Sequence, residues 1–114
     1  MQTTPQNIKA KKAPHTLKSN DILYTNWGYE QTNVEFYQVV KTTNYSVWVK
    51  ELKQNRVESS KHSMGGNTMP LINEFKHDAK EHMHRVRADN SIRIESFITA
   101  WLWDGKPKSY SSYA

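Results

Sequence analysis

The segment KHDAKEHMHRVR gathers five side chains that bind metal ions: His77, Asp78, Glu81, His82 and His84. On an extended strand His82 and His84 share one face at spacing two and can chelate an ion. On a helix, His77 faces Glu81 and Asp78 faces His82 at the i, i+4 spacing. The chain has no cysteine and no H-E-x-x-H pattern, so neither standard zinc signature is met. Histidines at the surface or at the core edge are expected, with no metal and no cofactor. Catalysis finds little else to work with. SSKHS brings serines and a histidine together only along the chain, without a placed carboxylate. MGGN sits in a polar stretch rather than behind a strand, so it does not read as a phosphate loop. Glu30 and Glu35 form a carboxylate pair whose spacing fixes no separation. A protein that is not an enzyme is expected.

Binding chemistry is better represented. In HRVRADNSIRIE, Arg85 and Arg87 project to one side of a strand if Val86 faces inward, and Arg93 projects from the partner strand. With Lys80 nearby, three guanidiniums would form a patch able to grip phosphates bidentately. Pairing with Glu95 or Asp89 on an ordinary solvent face is the competing reading. WGYEQTN sets Trp27 and Tyr29 around a glycine, followed by Gln31 and Asn33. Its rings suit stacking on a base or filling a groove, and its polar side chains can fix a loop by local hydrogen bonds. Alternatively, Trp27 packs back to plug the end of the fold. Trp101 and Trp103 share a face of the last long strand, and at least one of them is expected in the core.

Charge is unevenly spread. Residues 1–20 hold Lys9, Lys11, Lys12 and Lys18 and no acid, leaving twelve of sixteen basic groups against all eleven acids in the remainder. A polar, basic, proline-containing leader of this kind is expected to be flexible, and such arms grip phosphates by releasing counterions. The expected organisation is a flexible basic arm over 1–19 and a single β-rich domain over 20–114, since 114 residues make one domain. Apolar runs are too short to cross a membrane, and no apolar leader is seen. The expected location is the cytoplasm.

The elements that must position these groups read as strands. DILYTNW, VEFYQVVKTT and NYSVWVKEL are dense in β-branched and aromatic residues, with a hairpin turn at Thr43–Asn44. A further turn is expected near Gln54–Asn55, and a flexible loop around Gly65, Gly66 and Pro70. LINEFKHDAKEHMH is ambiguous, a helical turn or two near 73–84 or an irregular crossing. HRVRADNSIRIE reads as a second hairpin with Asp89–Asn90 at its tip. FITAWLW follows as a strand, DGKP as a turn, and KSYSSYA as a short edge strand. Five to six strands imply a mainly β fold, a small SH3-like barrel or rolled antiparallel sheet, with α+β as the alternative.

DILYTNWGYEQTNVEFYQVV, SVWV, WDGKP and the final SSYA resemble a group of small uncharacterised proteins from bacteriophages and mobile elements. That group shares a W-G-Y-[DE]-Q-T-N-x-[DE]-F-Y-Q-V block and a late WDGKP. The resemblance runs from about Asp21 to the C-terminus and implies a setting, a phage or plasmid accessory protein in the host cytoplasm, but no activity. Two functions fit. One is nucleic-acid binding through Lys9, Lys11 and Lys12, the aromatic loop and the arginine hairpin. The other is a protein-binding inhibitor of a host enzyme or defence complex, anti-CRISPR-like, since tyrosine-rich aromatic surfaces suit protein interfaces.

Overall fold

The computed structural model describes residues 14–28, 31–58 and 65–111, and every regular element among them is a strand. These are β1 (Ile22–Trp27), β2 (Asn33–Thr42), β3 (Ser46–Glu58), β4 (Gly65–Phe75), β5 (His82–Arg85), β6 (Ile92–Glu95), β7 (Ile98–Leu102) and β8 (Lys108–Ser111). They form one antiparallel sheet in the order β6-β7-β1-β2-β3-β4-β8, with β5 also paired to β3. The mainly β expectation holds. The strands number eight rather than five to six, and the sheet is not closed. No helix occurs over 73–84: β4 runs on to Phe75, and after a short crossing β5 begins at His82.

Side-chain alternation along β1, β2 and β3 decides what lies on each side. One face presents Leu23, Tyr37, Val39, Val47 and Val49, which pack with Leu17, Val86, Ile92 and Ala100. Each fully buried aliphatic or aromatic side chain here contributes about 1.5–3 kcal/mol. This face lines the inside of a roll, because the path β6-β7-β1-β2-β3-β5 curls until Val86 bridges Ile92. Around the turn between them the Arg87 N–H donates to the Ser91 carbonyl at 2.8 Å and the Asn90 N–H to the Arg87 carbonyl at 2.9 Å. The expected second hairpin with Asp89–Asn90 at its tip is therefore present but short, since β5 is otherwise laid on β3 and β6 on β7.

The other face of β1–β3 carries Ile22, Val34, Phe36 and Leu52, covered by Tyr24, Phe75, Trp103 and Tyr110. β3 makes this possible by its length. Its first half pairs β5 and its second half pairs β4, so no turn occurs at Gln54–Asn55. β4 likewise replaces the expected loop at Gly65, Gly66 and Pro70. Gly66 explains the glycine there: a Cβ would collide with the carbonyl oxygen of Val57 on β3. Pro70 lies beyond Thr68, where β8 pairing stops, so its missing N–H is not missed. The end of β8 returns to β2, where the Ser111 N–H donates to the Thr32 carbonyl at 3.1 Å.

Candidate nucleic-acid interface

The solvent side of the roll is built from alternate residues of β3. Trp48 and Lys50 precede the buried Leu52 on one face, and Arg56 follows further along the strand. Trp48, Lys50 and Arg56 each meet a ring or a cation from another strand. Lys41 Nζ stands 4.3 Å from the centre of the Trp48 ring and Lys50 Nζ 4.6 Å from that of Phe75. Arg56 lies 4.7 Å over Tyr110, and Lys108 Nζ lies 4.3 Å over Tyr24. Exposed pairs of this kind contribute about 0.5–1 kcal/mol each. Their further effect is to hold cations and aromatic surface side by side on rigid strands.

The arginines extend this surface. Val86 is buried inside the roll, so Arg85 and Arg87 lie outside it as the alternation requires. Arg87 Nη1 donates to Thr99 Oγ1 at 3.3 Å, and Arg93 faces Thr99 in the β6–β7 register. Thr99 and Trp101 share a face of β7, and Trp101 stands opposite Tyr24, the ring under Lys108. Arg87, Arg93, Trp101 and the Lys108–Tyr24 pair are thus neighbours. Arg85 engages a different ring, Tyr45, at 5.9 Å. Among the described residues none of the three arginines forms a salt bridge, although the Arg87 charge helps lower the Asp89 pKa. Trp101 is 43% exposed, whereas Trp103 is half-buried and packs edge-on against Phe36 at 6.1 Å, supplying the expected core tryptophan.

The WGYEQTN loop does something else. Lys9, Lys11, Lys12 and Tyr29 lie outside the described residues. Gly28 has φ of 130°, and a Cβ there would strike the Gln31 carbonyl oxygen, so only glycine fits. Gln31 Nε2 donates to Asn33 Oδ1 at 3.2 Å, and Asn33 pairs with Trp27 across the hairpin, so the polar side chains fix the loop. Trp27 Nε1 donates to Glu35 Oε1 at 3.1 Å, and Thr25 Oγ1 donates to the same oxygen at 3.0 Å.

Glu35 belongs to the open mouth of the roll, a pocket of about 430 Å³ lined by Trp27, Glu35, Tyr37, Glu51, Ile94, Glu95, Phe97 and Ile98. Burial, then the charges of Glu35, Glu51 and Glu95, pushes the Tyr37 phenol above its ordinary value, so it remains a proton donor. Phe97 stands almost fully in solvent at 94% exposure. Glu51 is ion-paired with Lys76 at 3.2 Å, which leaves Glu35 and Glu95, with the aromatic walls, to repel phosphate and suit a cation. Trp27 therefore sits in acidic surroundings, apart from the basic outer surface.

His82 and His84 lie on one face of β5, as strand spacing requires, with His82 Nδ1 and His84 Nε2 2.7 Å apart. Burial, then the neighbouring His82, lowers the His84 pKa. No group of three or more metal-ligating side chains assembles among the described residues.

Sequence reading did not single out Lys41, Lys50, Arg56 and Lys108, nor Glu51 and Phe97, and it placed Glu95 only as a partner for the arginines. The first three cations carried a readable signal in the alternation of VKTT and SVWVKELKQNR. The acidic mouth carried none, because three strands far apart in sequence supply it. The chain matches no family model, no curated protein and no solved structure.

Proposed function

We propose that this protein is a small non-enzymatic accessory protein of bacteriophage or mobile-element type that binds single-stranded nucleic acid in the cytoplasm. The observation that carries this reading is the run of cation–ring pairs on the outer surface, continued by Arg87, Arg93 and the exposed Trp101. Single-stranded binders combine a cationic track for the backbone with rings on which bases stack, about 1–3 kcal/mol per stacked base. Lys9, Lys11 and Lys12 would add phosphate contacts.

The test is equilibrium binding of the full chain to labelled single-stranded DNA and RNA, with duplex as comparison. Trp101→Ala should weaken single-strand binding about tenfold through lost stacking. Arg87→Glu with Arg93→Glu should weaken it more. Equal affinity of all variants would refute the assignment.

The acidic mouth favours a second reading, a protein partner that inserts a lysine or arginine between Trp27 and Phe97. That suits an inhibitor of a host enzyme or defence complex. Phe97→Ala should abolish such binding with little effect on stability, because the ring is 94% exposed.

A further inference from the structure

We propose that His82 and His84 form a two-imidazole chelate for a divalent first-row transition ion, with copper(II) held tightest, followed by nickel(II) and zinc(II).

The pair is positioned by backbone and by packing. β5 is registered on β3 with Val49 opposite His82 and Val47 opposite His84, two valines that are fully buried. The two ring nitrogens therefore start from strand positions that cannot slip without exposing the core. The His82 ring meets the Tyr37 ring edge-on, with centroids 6.2 Å apart, and the two imidazoles meet at 81° with centroids 4.9 Å apart.

The facing nitrogens, His82 Nδ1 and His84 Nε2, are 2.7 Å apart. Two imidazole nitrogens bound at about 2.0–2.1 Å to one ion stand roughly 2.9–3.4 Å from each other. Replacing the shared proton with a metal releases that proton to water and needs the pair to open by a few tenths of an ångström and the rings to pivot until both lone pairs converge on the ion. The backbone carbonyl of Arg93 lies beside the His84 ring and favours its protonated form. An Nδ1–H directed at that carbonyl would leave Nε2, the nitrogen turned to His82, to offer its lone pair, the support that metal-binding histidines ordinarily receive. His82 is exposed, so its Nε2 can carry its own proton in water while Nδ1 turns to the ion. Imidazole donors with no carboxylate or thiolate beside them favour the order copper over nickel and zinc. The remaining coordination positions are left to water.

The experiment titrates the full-length protein with copper(II) and zinc(II) by calorimetry, and records the electron paramagnetic resonance spectrum of the copper form. The expected result is one ion per chain and nitrogen coupling from two imidazoles. His82→Gln and His84→Gln should each weaken binding at least about tenfold, while His77→Ala leaves it unchanged. His82→Gln alters an exposed side chain, so its loss of binding is separable from misfolding, which circular dichroism checks. Coupling from fewer than two nitrogens, or affinity unchanged in His82→Gln, would overturn the site.

Discussion

The indole N–H of Trp27 is bonded to the carboxylate of Glu35 at 3.1 Å, and the buried Thr25 hydroxyl donates to the same oxygen at 3.0 Å. One acid thus ties the most conspicuous ring of the chain to the start of the roll. Glu35→Ala leaves the fully buried Thr25 hydroxyl without its carboxylate partner. The expected cost is about 1–3 kcal/mol, read by urea denaturation, with Glu35→Gln retaining part of it. Trp27 emission should shift to the red as the indole is released to water.

Gly28 turns the chain between β1 and β2 at a φ of 130°, where a side chain is strained and a Cβ would meet the Gln31 carbonyl. Gly28→Ala should destabilise the protein by about 1–3 kcal/mol, visible as a lower unfolding midpoint. Gly105→Ala, at φ of 84° but with open space around it, should cost less.

Hydrogen bonds from the Ser91 hydroxyl and N–H lower the Asp89 pKa from its ordinary value, with the Arg87 charge helping. A carboxylate lowered in the folded state adds stability above its unfolded pKa, near 4, and loses it as pH falls through the folded value. Asp89→Asn should therefore be less stable than the parent at pH 6. Thermal unfolding followed downward in pH should show the difference shrinking below about pH 4.

The β2–β3 hairpin was legible because a polar turn at Thr43–Asn44 separates two runs whose alternation already sorted Val47 and Val49 from Trp48 and Lys50. The continuation of β3 was not, because Gln54 and Asn55 look like turn residues. Gln54 instead spends its polarity within the sheet, donating to the Val34 carbonyl at 2.9 Å and accepting from the Thr68 hydroxyl at 2.6 Å. Leu17 gave no periodic signal within its basic leader, yet it is only 4% exposed and packs into the inner core. A lone leucine acquires that role from tertiary contacts alone. The arginine side of the candidate interface was readable from spacing around Val86. Its join to Trp101 was not, since it depends on the β1–β7 and β6–β7 registers.

The salt dependence of single-strand binding addresses the proposed interface most directly. With about four phosphates neutralised by the outer cations, a double-logarithmic plot of affinity against salt should fall with a slope of about −3. Charge reversal at Lys50 and Arg56 should make that slope shallower. A slope near zero, or no detectable binding at about 50 mM salt, would contradict the assignment of this surface to nucleic acid.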